Sequence, residues 1–121
     1  LAGDSEPMLL GQPLTGWTPD AEPNPDKKPL PIAWTKTYTG SSGKPSRIFT
    51  TTMGHADAFK VEDFRRMLVN ACYWALDMTD QIPEKANVDI VGEYRPTPFG
   101  FGSYQKGMRP EDHLLNGGEQ N

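Results

Sequence analysis

IAWTKTYTGSSGKPSRIFTTTMGHADAF, residues 32–59, is the stretch that decides the fold. Its first eight residues, Ile32 to Thr39, alternate in β-forming side chains, and Arg47 to Met53, RIFTTTM, does so again. Between them GSSGKPS supplies glycine, serine and proline, the residues that turn a chain. Two such runs joined by a loop of this length read as an antiparallel β-hairpin. The second run stops at Gly54, His55 follows, and a helical pattern opens a few residues later. The end of a strand is where an open α/β sheet carries its chemistry, so His55 reads either as a working group or as a turn residue.

Beyond the hairpin, Val61, Phe64, Met67, Leu68, Ala71, Cys72, Ala75 and Leu76 recur at spacings of three and four. That spacing predicts an amphipathic helix over Val61 to Leu76, packing Phe64, Met67, Leu68, Ala71 and Cys72 on the hairpin. Asp57 or Lys60 stands before it, and Glu62 and Asp63 fall in its first turn, where the helix dipole favours acids. Pro83 blocks continuation.

Outward on the amino side, Met8 to Leu10 is an apolar run closed by Gly11 and is expected to form a brief strand. Gln12 to Pro31 is rich in proline and charged residues and reads as an extended polar loop, since each proline fixes its own torsion and biases its predecessor away from helix. On the carboxyl side, Val88 to Val91 is a short apolar segment. The stretch from Gly92 onward mixes Gly, Pro and aromatics and is expected to be mostly irregular. The core is therefore placed in residues 30–92, with 93–121 as an extension. No repeat, heptad seam or Gly-rich phosphate loop is present.

Composition narrows the function classes. The 121 residues include 12 Gly and 12 Pro and are only 36% hydrophobic, so much of the chain is loop and the core it can bury alone is small. A net charge of -4 with no basic stripe argues against nucleic acid or an acidic membrane surface as a partner. No run approaches the ~20 apolar residues of a membrane-crossing helix. Cys72 is the only cysteine, which excludes an internal disulfide and a cysteine metal cluster and leaves cytosol and periplasm equally open. The opening LAGDSEPMLL has no initiating Met and reads as a chain processed or cut from something longer.

His55 is the first candidate for chemistry, because Gly54 permits a tight turn and an imidazole serves as base, acid or metal ligand near neutral pH. His113, in RPEDHLL, reads as a solvated helix start. Cys72, on the apolar stripe, reads as a small core hydrophobe. Trp34, Tyr38 and Tyr73 read as core or rim aromatics, and Trp34 can also stack on a sugar ring.

The run from Pro31 to Leu76 resembles the C-terminal part of the ThuA-like (trehalose utilisation) family. The likeness rests on PIAWTKTY, a turn, GKPSRIFTTTMGHADAF and FRRMLVNACYWAL, set against a family pattern of P-x-A-W-T-x-x-Y, then G-R-V-F-Y-T-x-x-G-H, then a helix ending in W-A. IPEKANVDIVGEYRPTPFGF continues it. The resemblance implies a flavodoxin-like, class I glutamine amidotransferase-like α/β sandwich, of which 1–121 is a partial domain needing an upstream half. It also implies a role in carbohydrate metabolism around trehalose or related disaccharides. In true amidotransferases a histidine at this strand end serves a Cys-His-Glu triad, and His55 looks like its counterpart; Cys72 is in the wrong place for the nucleophile, so no triad can be assembled here. Two readings stay open: a sugar-processing enzyme with His55 and Trp34 at a sugar-binding cleft, and a non-catalytic sugar-binding or accessory module of a larger oxidoreductase-type protein. The resemblance names no cofactor.

Overall fold

A computed structural model describes residues 1, 3–97, 100–102 and 104–114. It contains a three-stranded antiparallel sheet, β1 (Glu6–Gly11), β2 (Leu30–Thr39) and β3 (Pro45–Thr51), in the order β1-β2-β3, and one α-helix, α1 (Glu62–Ala75). The hairpin expected from the sequence is β2–β3, paired in unbroken register from Ala33 opposite Thr51 to Thr39 opposite Pro45. Regular alternation of β-branched and aromatic residues on both strands holds that register, because a one-residue slip would exchange the two faces. The brief strand expected at Met8–Leu10 is longer, Glu6–Gly11, and pairs with β2 through two irregularities, between Pro7 and Leu9 and between Leu9 and Leu10.

The predicted helix forms within a residue of its expected bounds at either end. At its C-terminus Met78 N–H donates to Tyr73 C=O at 2.9 Å and Asp77 N–H to Trp74 C=O at 3.2 Å, while Asp77 takes φ 62°. This is a Schellman closure with Asp in the position that usually holds Gly. Arg47 of β3 fastens this end: its Nη1 donates to Trp74 C=O at 2.7 Å, its Nη2 lies 2.6 Å from Asp77 Oδ1, and its guanidinium sits 5.7 Å from the Trp74 ring. A cation at the negative end of the helix dipole is favoured there.

The expected stripe is narrower than its spacing implies, with Val61, Ala75 and Leu76 exposed at its ends. Cys72 is exposed, not buried. Met67, Asn70, Ala71 and Trp74 face Glu6, Met8, Thr35 and Phe49 of the sheet, and Phe64 is buried. Cys72 lies about 100° round the helix from Ala71, beyond the reach of the sheet. The other flank of α1 is covered by residues 86–88 instead. Arg65 Nε donates to Val88 C=O at 2.6 Å, Arg66 donates to Ala86 C=O, and Ala86 and Val88 are buried. The apolar segment expected at Val88–Val91 is thus an irregular strap whose buried residues are Ala86 and Val88, while Val91 is exposed. The loop before β2 is pinned by a bridge between Leu14 and Pro23, and by Gln12 Nε2 donating to Asn24 C=O at 3.2 Å and Lys27 C=O at 3.1 Å. In the C-terminal extension the described residues are irregular apart from one 3-10 turn, Pro110–His113; residues 98, 99, 103 and 115–121 of it lie outside the described part.

Ala33, Phe64, Ala86 and Val88 are the buried hydrophobic residues among those described. Helix α1 covers one face of the sheet. On the opposite face alternation places Ile32, Trp34, Tyr38 and Ile48, over which no other described helix or strand packs. No described helix is long and apolar enough to cross a membrane.

Candidate functional site

His55 sits where β3 gives way to a 3-10 turn, Ala56–Lys60, and it is the N-cap of that turn. Gly54 before it has φ +145°, a torsion L-residues rarely adopt, and this lets the chain leave the sheet sharply. His55 Nδ1 accepts from Asp57 N–H at 3.2 Å. An imidazole nitrogen that accepts carries no proton, so the ring is the tautomer with hydrogen on Nε2. The Nδ1 to Asp57 Oδ2 separation of 3.7 Å is therefore a neighbouring contact and not a salt bridge. Base chemistry through Nδ1 requires giving up the cap.

Asp57 is itself engaged. Lys60 Nζ lies 2.7 Å from Asp57 Oδ1, and this hydrogen bond, with the Lys60 charge behind it, holds the carboxyl below its ordinary value of 3.8. The turn is tied to the tail by Tyr94, whose hydroxyl donates to Ala56 C=O at 2.7 Å. His55 and Asp57 are about half exposed, with side-chain accessibilities of 50% and 45%, so the group sits at the surface.

Trp34 is half-buried in the central strand, opposite Thr50 on one side and Pro7 on the other. It stands in the body of the sheet, on the face that α1 leaves open, while His55 stands past the sheet's end. Because the sheet is antiparallel, the edge nearest His55 is built from the carboxyl ends of β1 and β3 and the amino end of β2. The rule that chemistry gathers at carboxyl ends belongs to parallel strands, so the described strands do not by themselves aim several side chains at His55.

The sequence reading missed a cleft of about 550 Å³ between α1 and the β1–β2 side of the sheet, lined by Glu6, Met8, Thr35, Phe49, Met67, Asn70, Ala71, Trp74 and Ile82. A second, apolar hollow of about 420 Å³ adjoins it through Met8 and Met67. Asn70 Oδ1 is shielded from solvent and has no hydrogen-bond partner among the described residues. An amide on the sheet-facing side of an otherwise apolar stripe was the signal available in the sequence. Among the described residues no three His, Cys, Asp or Glu side chains gather to hold a metal.

No protein family, curated protein or solved structure matches the chain.

Proposed function

We propose that the chain is the C-terminal part of a ThuA-like, flavodoxin-like domain acting in carbohydrate metabolism, with His55 at the rim of a site for trehalose or a related disaccharide. One observation carries the reading. The span that bears the resemblance, Pro31 to Leu76, folds in the order the resemblance requires: two paired strands, a glycine turn at Gly54, His55, then α1. On this reading further polypeptide upstream completes the domain over the open face of the sheet. A disaccharide presents a ring face, which suits Trp34.

A second reading has its own support. His55 Nδ1 is taken up by the cap and Asp57 by Lys60, so no acid or base in this turn is held ready for proton exchange. A binding or accessory module of a larger oxidoreductase-type protein needs none.

The test is titration of trehalose, and separately of oxidised trehalose, into the intact protein, with His55→Asn and Trp34→Ala alongside. Binding that weakens in both variants supports the sugar site. Turnover falling a hundredfold or more in His55→Asn at unchanged affinity assigns an enzyme; loss of affinity alone assigns a module. Neither sugar binding to folded protein rejects the proposal.

A further inference from the structure

We infer that the cleft between α1 and the β1–β2 side of the sheet binds a small amphipathic cation, an aromatic ring on a short protonated alkylamine. The inference stands apart from the carbohydrate reading: the cleft lies on the face of the sheet that carries α1, and Trp34 lies on the other. Helix α1 packs over β3, and the cleft opens where the sheet runs on past it toward β2 and β1. Its volume of about 550 Å³ suits a small ligand.

The register of the sheet arranges the floor. Glu6, Thr35 and Phe49 stand directly opposite one another on three neighbouring strands, so a carboxylate, a hydroxyl and an aromatic ring form one row. Met67, Asn70, Ala71 and Trp74 of α1, at spacings of three and four, form the wall. The polar groups of this lining, Glu6, Thr35 and Asn70, can each accept a hydrogen bond, and no cation lines the cleft among the described residues. Cations close by are already matched, Arg47 by Asp77 at 2.6 Å and Lys36 by Asp4 at 2.8 Å. Glu6, exposed at the rim, has no ion pair with a described residue. Asn70 Oδ1 has no hydrogen-bond partner among them and is shielded from solvent; the last torsion of an asparagine is soft, so the amide can turn its oxygen toward the cleft.

These features select the ligand class. A protonated primary amine carries three N–H donors, one for each acceptor. The Glu6 and Phe49 backbones lie two strand spacings apart, about 9.6 Å, a span an arylalkylamine covers from nitrogen to ring. Its ring then rests against Phe49 and Met67, which favour aromatic contact. A disaccharide suits the lining poorly, since its hydroxyls would meet Met8, Met67 and Ile82 without partners. An asparagine on an apolar stripe costs the free chain stability, and local costs of this kind gather at binding sites.

The test titrates phenylpropylammonium, its neutral counterpart phenylpropanol, and trehalose into the 121-residue chain, following the Met methyl and Trp indole signals by NMR. Phenylpropylammonium should saturate, moving Met8, Met67 and Trp74 and leaving the exposed Trp17 and Met108 unchanged. Phenylpropanol should bind about tenfold more weakly, as the loss of a charge-assisted hydrogen bond implies. Glu6→Gln, a change at the exposed rim, should abolish that preference. Asn70→Leu should weaken phenylpropylammonium about fivefold or more without lowering the melting temperature. Equal binding of the ammonium and the alcohol, saturation by neither, or shifts at Trp17 or Trp34 in place of Met8 and Met67 overturns the inference. So does trehalose moving the same signals, a preference that survives Glu6→Gln, or full affinity in folded Asn70→Leu; if Asn70→Leu does not fold, Glu6→Gln decides alone.

Discussion

At the scale of single residues, His55 can be separated into a cap and a chemical group. Asparagine is a strong N-cap and offers its own oxygen to Asp57 N–H, but it lacks the Nε2–H and cannot exchange a proton at neutral pH. If His55 serves only the turn, His55→Asn should leave stability and sugar binding unchanged while His55→Ala costs about 0.5–1 kcal/mol in denaturant melts. If it serves a ligand, binding is lost in both and stability falls only in the alanine variant. Gly54→Ala is expected to be destabilising by about 1 kcal/mol or more, read from the same melts, although nothing lies within 4 Å of the added carbon: the cost is torsional, at φ +145°. These two residues were legible in the sequence because a glycine that ends a β-branched run has a local cause. Cys72 was not, since spacing marks a stripe without saying how wide a surface meets it. Being exposed, Cys72 should label rapidly with a thiol reagent in folded protein, and Cys72→Ala should change stability by less than about 0.5 kcal/mol.

Between elements, polar clasps join α1 to its surroundings. Arg47 holds the C-terminal end of α1 to β3, and Arg65 holds its N-terminal half to the strap at Val88 and to Phe59 C=O at 2.6 Å. Hairpin, helix and connection were all readable from periods of 2 and 3.6, which are local. The clasps were not, because a guanidinium reaching a carbonyl 23 or 27 residues away leaves no spacing to read. The 3-10 turn has a clasp of its own, with a pH signature. Asp57 titrates below its ordinary 3.8 because Lys60 bonds the carboxylate, so its contribution to holding the turn is present above about pH 4 and is lost as pH falls through the lowered value. Lys60→Gln should move the Asp57 carboxyl titration, followed by NMR, back up toward 3.8 and shrink the change in His55 and Ala56 chemical shifts below pH 4. An unmoved Asp57 titration would show that Lys60 does not hold it.

Across the whole molecule the hydrophobic surface outweighs the core that would bury it. Among the described residues four hydrophobic side chains are buried and no large side chain is fully so, while Met8, Leu10, Leu30, Tyr38 and Ile48 remain exposed on the sheet. The cleft of about 550 Å³ runs along the seam between α1 and β1, and there Asn70 Oδ1 is shielded from solvent with no donor among the described residues, an arrangement that costs stability. A fully cooperative domain of this length absorbs about 85 kcal/mol near 60 °C, at about 0.7 kcal/mol per residue. We expect the chain to melt broadly, with a calorimetric enthalpy below about half that figure, and to bind the dye ANS at 20 °C, where a finished core would not. Filling the seam should reverse part of this. Asn70→Leu replaces the amide with a larger apolar side chain of the same branching that needs no partner, and it should raise the melting temperature and reduce ANS binding together. If Asn70→Leu lowers the melting temperature, the amide has a partner that the described residues do not supply, and the cleft beside it becomes the first place to look for a ligand. If the wild-type chain instead melts sharply with full enthalpy and no dye binding, the apolar face and seam are covered in solution, and the expectation of an incomplete core fails.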